Sequence, residues 1–178
     1  MIACDRLILR EWQSGDRDAF LAMCNSPEVM AHLGGPAAPD AVDAGIARIR
    51  ACQAAHGFCF WAVERKEDRA FLGFCGLKVA PEDGTPIAGE VEIGWRLRAD
   101  AWGRGYAFEA AEASLAWGWA NLDAHRIVAA TVPANLPSLK LMGRLGMVRR
   151  PELDFASPGF VPDHPLHRHV TSLKERPR

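Results

Sequence analysis

Apolar residues along the chain follow two patterns, and each pattern predicts a different kind of element. Short runs rich in aromatic and β-branched residues predict strands. These runs are residues 7–12, 58–64, 71–79, 91–97, 126–132, about 147–155 and about 169–173. Apolar residues at helical spacing predict helices. The helices are expected over residues 16–23, with a restart from 26 toward 32, and over residues 40–56, 108–121 and 135–145.

Polar, charged and glycine residues mark where these elements begin and end. Asp16 is expected to cap the first helix, and Gly57 is expected to stop the helix over 40–56. Gly146 is expected to close the helix over 135–145, with Met147 as the apolar contact that follows. The helix over 108–121 carries an apolar stripe that should face the core: Phe108, Ala111, Leu115, Trp119 and Leu122.

The order of the elements predicts the fold class. Strands come first, and a strand–helix–strand–helix–strand order follows, which predicts an α+β or mixed α/β fold with one sheet. The chain has no internal repeat and no composition shift typical of a linker. Residues 1–178 are therefore expected to form one domain.

Composition limits the classes of protein to consider. At 178 residues and 49% apolar content, the chain should be globular. Its net charge of −1 gives no basis for a nucleic-acid or membrane-surface partner. No apolar run approaches the roughly 20 residues of a membrane helix, and the first residues lack the order of a signal peptide. The five cysteines form no CxxC pair, which favours buried, reduced thiols in a cytoplasmic protein.

Residues 98–107 form a glycine-rich segment between a predicted strand and the predicted helix over 108–121. Gly103, Arg104 and Gly105 lie just where that helix should begin. The first N–H groups of a helix have no intrahelical partner and lie at the positive end of its dipole. Glycine lets the backbone approach a ligand closely. The segment therefore predicts a cradle for an anion such as phosphate or pyrophosphate.

Two familiar phosphate-binding patterns do not fit this segment. A P-loop requires GxxxxGK[ST], and the chain contains no Gly-Lys-Ser or Gly-Lys-Thr. The dinucleotide pattern GxGxxG has Ala107 and Phe108 in its last two places here. Asp123 precedes the next predicted strand, whereas the ribose-binding acid of that pattern follows it. The sequence therefore disfavours both nucleotide folds.

Several motifs, in order along the chain, resemble the GNAT N-acetyltransferases. Trp102-Gly103-Arg104-Gly105-Tyr106-Ala107 resembles the family's pyrophosphate loop, [Gln/Arg]-x-x-Gly-x-[Gly/Ala], with tryptophan at the first place. Asn135-Leu136-Pro137-Ser138 resembles its Asn-x-x-Ser motif, and Leu145-Gly146-Met147 resembles the end of the same helix. Residues 73–77 and 92–97 resemble the family's third and fourth strands. The resemblance is closest to the branch that includes the ribosomal-protein alanine and serine N-acetyltransferases.

This resemblance implies a fold and a cofactor. The implied fold is a mixed, mostly antiparallel seven-stranded sheet with about four helices, in which the fourth and fifth strands run parallel and splay apart. Acetyl-CoA is expected in that split, its pantetheine on the fourth strand and its pyrophosphate on the loop amides. The implied cofactor-binding residues are Trp95, Arg96, Leu97, Gly103, Arg104, Gly105, Tyr106, Ala107, Asn135 and Ser138.

The resemblance also implies roles for polar side chains. Asn135 would bridge the cofactor and the fifth strand, a role compatible with a helix N-cap. Ser138 would protonate the leaving thiolate, directly or through water; its alternative is an ordinary first-turn serine. Glu92 would be the general base, and the alternatives for that role are Glu90 and a water chain. The alternative for Glu92 itself is a solvent-facing or salt-bridged strand residue. A backbone amide near Trp95 would stabilise the oxyanion.

The implied reaction is direct transfer of an acetyl group to a primary amine in a ternary complex. The acceptor is left open among a protein N-terminus, an amino acid, a polyamine-like metabolite and an aminoglycoside-type compound. An acidic acceptor cleft would draw on Glu82, Asp83, Glu90 and Glu92. The rival hypothesis is a non-catalytic acyl-CoA-binding regulatory domain of the same fold, and the assembly is expected to be a monomer or a homodimer.

Three histidines near the end of the chain suggest a metal site at first sight. The spacing of His164, His167 and His169 fits neither HExxH nor a Cys/His zinc pattern. We therefore expect no metal, and interpret the segment as an acceptor-side loop leading into the last strand.

Overall fold

Nine strands and five α-helices form within residues 1–81 and 83–177, the part of the chain that the computed structural model describes. The strands are β1 (Ile2–Ala3), β2 (Leu7–Arg10), β3 (Phe60–Arg65), β4 (Phe71–Val79), β5 (Val91–Leu97), β6 (Arg126–Thr131), β7 (Val148–Arg149), β8 (Phe155–Ala156) and β9 (Arg168–Glu175). The helices are α1 (Asp16–Cys24), α2 (Pro27–Met30), α3 (Pro39–His56), α4 (Tyr106–Asn121) and α5 (Leu136–Arg144). Two short 3-10 turns cover Ala99–Ala101 and Pro151–Leu153.

The sheet has the order β1-β2-β3-β4-β5-β6-β9-β7, with β8 also paired to β9. All of these strand pairs are antiparallel except β5 and β6, which run parallel. Parallel neighbours need a crossover, and α4 supplies it between β5 and β6. The predicted α+β class, with a mostly antiparallel sheet and one parallel pair, is confirmed.

The element count differs from the expectation at three places. β1, β7 and β8 are strands of two residues each, so the sheet has more strands than the seven expected. The strand expected over residues 147–155 is interrupted by the turn Pro151–Leu153, because proline has no N–H to give to a strand partner. The helical restart is a separate one-turn helix, α2, capped by Ser26 through a 3.3 Å bond to the N–H of Val29.

Helices cover both faces of the sheet. On one face α4 and α5 pack over β2, β4, β5 and β6, and this cluster includes Ile93 and Leu97 of β5. On the other face α1, α2 and α3 bury an aromatic cluster that contains Phe71 and Phe74. Because side chains of a strand alternate between faces, Arg96 points toward this second cluster, and a Cβ atom at position 94 would meet Phe60 there. The Arg96 guanidinium lies 5.3 Å from the centre of the Phe74 ring.

The buried face of α4 differs from the predicted stripe. Ala111 and Leu115 are buried as expected, but Phe108, Trp119 and Leu122 are only partly buried. Most of the other buried residues of α4 are small: Ala110, Ser114 and Gly118. A Cβ atom at Gly118 would lie 2.6 Å from Cδ1 of Leu77. Small side chains therefore let the helix approach the sheet closely, a property that a hydrophobic stripe does not reveal.

The helix ends mostly follow the sequence signals. Gly57 ends α3 in the left-handed conformation at φ 77°, and Asn135 caps α5. The cap of α1 is Gly15, not Asp16 as expected. Asp16 is buried inside the helix and accepts hydrogen bonds from the guanidinium of Arg10 at 2.8 Å. This ion pair continues to Glu64, so Asp16 links α1 to β2 and β3 instead of capping a helix.

Candidate functional site

The parallel strands β5 and β6 diverge and open a split in the sheet. In the described part of the chain they pair through a single position, Glu92 with Val128, whereas β5 pairs with β4 along its whole length. Beyond that position, the N–H and C=O groups on this edge of β5 form no ladder with β6. A cavity of about 680 Å³ occupies the split, lined by residues from β5, α2, α4 and α5 and the loop before α4. A buried strand edge with free backbone groups is suited to an extended ligand.

One wall of the cavity is the end of β5. Trp95, Arg96 and Leu97 all line it, so the structure brings together the three residues predicted on this strand. The indole Nε1 of Trp102 donates to the carbonyl of Leu97 at 2.9 Å. Trp102 itself is half exposed and also lines the cavity. The tryptophan that departs from the family motif therefore fixes the loop to the end of β5.

The loop before α4 lies against the same cavity. Gly103 and Gly105 have φ of 72° and 81°, in the left-handed region that favours glycine. Gly105 is the N-cap of α4, and no side chain caps this helix end. The first N–H groups of α4 therefore receive no hydrogen bond from an N-cap side chain, and their predicted role as an anion site stays a prediction. Gly103, Gly105, Tyr106 and Ala107 line the cavity.

Arg104 is the one predicted loop residue outside the cavity lining. Its side chain is exposed, and its carbonyl accepts a 2.9 Å hydrogen bond from Nη1 of Arg6. Arg6 also lies 4.7 Å from the centre of the Tyr106 ring and forms an ion pair with Glu109 in the first turn of α4. The loop is therefore braced from outside by Arg6, a residue that sequence reasoning missed. No local signal pointed to Arg6, since it lies more than 90 positions away along the chain.

The start of α5 forms the wall opposite β5. Asn135 accepts from the N–H of Ser138 at 3.3 Å and donates to Oγ1 of Thr131 at 3.1 Å. Its amide therefore ties the end of β6 to the first turn of α5, so the predicted N-cap is confirmed. Oγ of Ser138 accepts a 3.3 Å hydrogen bond from Nε1 of Trp95. This bond crosses the split and places the Ser138 hydroxyl beside β5.

Two cations on α5 line the cavity and were not predicted. Lys140 and Arg144 lie one helical turn apart on the face that looks into the split. The Arg144 guanidinium lies 4.6 Å above the ring of Phe108, the first residue after Ala107. The i, i+4 spacing of the two cations behind the Asn-x-x-Ser motif was the signal that could have identified them.

Of the predicted acids, the three that the structure describes are not in the cavity lining: Asp83, Glu90 and Glu92. The Glu92 carboxylate forms a 3.0 Å salt bridge with Lys78, and Glu90 forms a 2.6 Å salt bridge with Arg126. Oδ1 of Asp83 accepts from the N–H of Thr85 within its own loop. Glu82 lies outside the described residues. The catalytic role of Glu92 therefore stays a prediction, and the salt-bridged alternative describes the geometry of its side chain.

A segment that sequence reasoning left without a role reaches the cavity from the second face of the sheet. Glu28, Val29, His32 and Leu33, from α2 and the turn after it, line the cavity together with β5. The cavity is therefore lined by elements from both faces of the sheet, α4 and α5 on one and α2 on the other. The signal was the four-residue spacing of Glu28 and His32 in the helix-like segment that begins at Ser26-Pro27, although His32 itself lies in the turn after α2.

The histidines near the end of the chain lie elsewhere. His164 stacks on Phe160 at 4.5 Å, and Nδ1 of His167 is 2.7 Å from the carbonyl of Phe160. His169 stacks on Phe155 with ring centres 5.1 Å apart. In the described ranges, no group of three or more histidine, cysteine, aspartate or glutamate side chains is arranged to hold a metal ion. None of the helices in residues 1–81 and 83–177 has the length and apolar character that a bilayer crossing needs.

Comparison with known proteins places this architecture among acetyltransferases. A family model for the acetyltransferase (GNAT) domain matches residues 6–148. The uncharacterized N-acetyltransferase p20 of Bacillus licheniformis is 29% identical over 143 residues, which are 79% of this chain and 78% of that protein. The acetyltransferase of Agrobacterium tumefaciens has a similar structure, with a TM-score of 0.80 at 24% identity, covering 98% of this chain and 93% of that one.

Two further solved structures carry bound coenzyme A. The spermidine N-acetyltransferase of Vibrio cholerae, in complex with CoA and spermine, has a TM-score of 0.71 at 15% identity and covers 96% of both chains. A ribosomal L7/L12 α-N-protein acetyltransferase in complex with coenzyme A has a TM-score of 0.76 at 13% identity, covering 98% of this chain and 96% of that one. At these identities the likeness concerns the fold.

Proposed function

The chain belongs to the GNAT acetyltransferase family, and we propose that it transfers the acetyl group of acetyl-CoA directly to a primary amine in a ternary complex. The proposal rests on one feature: the cavity of about 680 Å³ in the split between β5 and β6, which joins an unpaired strand edge to an uncapped helix N-terminus. A pantetheine arm can pair with such a strand edge, and a pyrophosphate can bind at such a helix N-terminus. Two proteins of the same fold hold coenzyme A.

The phosphates of the cofactor would lie at the α4 end of the cavity. The N–H groups from Gly103 to Ala107 would bind the pyrophosphate, because an uncapped helix start carries a partial positive charge. Lys140 and Arg144 would add two cations from α5. Arg104 would contribute through its backbone, since its side chain is exposed outside the lining.

The thioester would lie where β5 and α5 face each other. The pantetheine amides would pair with the backbone of Trp95 and Leu97, and one β5 amide would stabilise the oxyanion. Because Trp95 donates to Oγ of Ser138, the Ser138 hydroxyl hydrogen is left to donate to the departing thiolate. Asn135 would hold α5 at the distance from β6 that this geometry needs.

The fold alone does not select an acceptor, because function depends on the site. Proteins of this fold act on amines as different as spermidine and the N-terminus of a ribosomal protein. We infer only the common chemistry, a primary amine that attacks the thioester. We also propose that the whole chain is one catalytic domain, since the strands from β1 to β9 belong to one continuous sheet order.

Release of free CoA thiol tests the proposal directly. The protein is incubated with acetyl-CoA and a panel of amines: an alanine-terminated tripeptide, glycinamide, glycine and spermine. Thiol release above the amine-free control, together with the acetylated product by mass spectrometry, is the expected result. Tight acetyl-CoA binding without turnover of any amine would instead indicate the rival function, a regulatory domain that binds acyl-CoA.

A further inference from the structure

The wall of the cavity on the second face of the sheet is a short segment with well-defined ends. Ser26 caps α2, and the chain leaves the helical region at Gly34 and Gly35, both with positive φ. Val29 and Met30 are buried against α1 and the aromatic cluster. Because these two residues anchor the segment, Glu28 and His32 are held at the cavity on a fixed piece of backbone.

Direct transfer to an amine requires a group that removes a proton, because an ammonium nitrogen has no free electron pair. The titratable side chains that line the cavity are Glu28, His32, Arg96, Tyr106, Lys140 and Arg144. Guanidinium and ammonium groups cannot accept a proton, and a phenol accepts none near neutral pH. Among the described lining residues, Glu28 and His32 therefore carry the two side chains able to act as a base.

The charges along the cavity are separated. Lys140 and Arg144 lie on α5, beside the uncapped start of α4, whereas Glu28 lies on α2 at the other face of the sheet. Arg96 on β5 also lines the cavity, but its guanidinium is directed at the Phe74 ring and has Nη1 3.5 Å from Sγ of Cys24. This arrangement suits a cofactor whose anionic end lies beside the α5 cations and whose opposite end reacts with a cationic amine near Glu28.

Building on the proposed function, we propose that Glu28 and His32 form the acceptor end of the cavity, where Glu28 binds a cationic primary amine and His32 takes its proton. The amine that fits has no carboxylate beside it, because a carboxylate would be repelled by Glu28. A peptide N-terminus, an amino acid amide or a polyamine meets this condition, and a free amino acid does not.

The proton and electron balance of this step is simple. The ammonium gives one proton to the imidazole of His32, and the freed electron pair forms the N–C bond to the acetyl carbonyl carbon. The C–S bond breaks, and sulfur leaves with its electron pair. The second proton lost by nitrogen goes to the thiolate by way of Ser138, and His32 returns its proton to water. The products are the acetamide, CoA thiol and one proton.

The Glu28→Gln variant tests the binding role. Its matched control is Glu67→Gln, which removes the same charge from an exposed turn outside the cavity. We expect Glu28→Gln to raise the KM for glycinamide about tenfold and to leave the KM for acetyl-CoA unchanged. The preference for glycinamide over glycine should shrink by a similar factor. An unchanged preference would overturn the binding role.

The His32→Gln variant tests the proton transfer, with His125→Gln as the exposed histidine control. We expect kcat to fall about a hundredfold at pH 7 with an unchanged KM for acetyl-CoA. The deficit should narrow above the pKa of the acceptor, where the amine arrives without its proton, and added imidazole should partly restore the rate of His32→Ala. If kcat instead falls in Glu92→Gln while His32→Gln is fully active, Glu92 is the base and the proposed role of His32 is overturned.

Failure of this inference differs from failure of the proposed function. If the parent protein turns over amines and both variants match their controls, the acceptor end lies elsewhere and the acetyltransferase stands. If the parent protein releases no CoA thiol with any amine of the panel, the proposed function itself fails and this inference with it.

Discussion

Arg6 and Glu109 are joined by three contacts of 2.7 Å, although they lie 103 positions apart in the chain. The backbone N–H and the guanidinium of Arg6 both bind the Glu109 carboxylate, and Nη1 of Arg6 holds the carbonyl of Arg104. Glu109 lies in the first turn of α4, where an unpaired carboxylate would compete with a bound phosphate. Arg6 therefore neutralises an acid beside the proposed anion site, and the same side chain braces the glycine loop.

This arrangement predicts a selective effect of Arg6→Ala on the cofactor. We expect the KM for acetyl-CoA to rise about fivefold to tenfold, while kcat and the KM for the amine change little, because the loop and not the thioester is disturbed. Arg17→Ala is the control, since Arg17 forms its ion pair with Asp43 outside the cavity. Adding Glu109→Gln to Arg6→Ala should recover part of the loss. An unchanged KM for acetyl-CoA would contradict the bracing role.

Gly105→Val should disrupt the anion site from within. Gly105 has φ 81°, and a Cβ atom there would lie 3.4 Å from Nη2 of Arg6. A β-branched residue in this conformation costs about 1–3 kcal/mol, so the loop is expected to change shape. We expect acetyl-CoA affinity, measured by calorimetry, to fall at least about tenfold. Gly15→Val, where a Cβ atom meets nothing within 4 Å, should bind as the parent does.

Ser138→Ala should affect the chemical step more than binding. Loss of the hydroxyl removes the proposed proton donor to the thiolate, so kcat is expected to fall about tenfold to a hundredfold with little change in the KM for acetyl-CoA. Ser14→Ala, at an exposed serine, is the control. Trp95→Phe removes the 3.3 Å indole bond to Ser138 and should cause a smaller loss of the same kind. Full activity of Ser138→Ala would exclude Ser138 as the donor.

Two glycine substitutions should change stability in opposite directions. Gly118→Ala places a Cβ atom 2.6 Å from Cδ1 of the fully buried Leu77, so overpacking should lower the free energy of unfolding by about 1–2 kcal/mol. Gly143 lies in α5, and a Cβ atom there would meet nothing within 4 Å. Gly143→Ala should therefore raise the free energy of unfolding by about 0.5–1 kcal/mol through helix propensity. Urea unfolding at pH 7 measures both. Equal effects of the two variants would contradict the close packing of α4 on β4.

His169 should make stability depend on pH. Burial lowers the pKa of His169 below its ordinary value of 6.5, against smaller opposing effects of a backbone hydrogen bond with His167 and of the Glu92 charge. The unfolded chain then binds a proton more readily than the folded one, so stability is retained above pH 6.5 and lost as the pH falls below it. Urea unfolding between pH 7.5 and 5 should show this loss, and it should be smaller in His169→Gln. If the free energy of unfolding depends on pH in the same way in both proteins, His169 is not the cause of the loss.

The local structure of the proposed cofactor-binding segments was predictable from the sequence, because the residues of each segment are close together in the chain. The loop from Trp102 to Ala107 directly precedes a helix, and Asn135 and Ser138 share one helical turn. Local geometry therefore dictates where their backbone groups point. The strand pattern over residues 91–97 likewise predicted β5 with the bounds that it has.

The side chains of the proposed acceptor end were not predictable, because contacts between distant segments decide which residues line the cavity there. Glu92 carries the residue type of a base, but Lys78 on the adjacent strand pairs with its carboxylate. Glu28 and His32 have no motif of their own, and they reach the cavity only because α2 packs across the second face of the sheet. Sequence spacing cannot show which side chains a neighbouring strand has already engaged.

The sequence by itself determined the family, the fold class and the place of the glycine loop before α4, since each depends on periodicity and on glycines next to a helix start. The tertiary structure alone decided how wide the split opens, which acids face it and which cation braces the loop. Those properties depend on strand register and on packing between elements far apart in the chain, such as Arg6 against Glu109 and Trp95 against Ser138. Residue order does not encode them locally, because a side chain's role is set by the partner that folding brings to it.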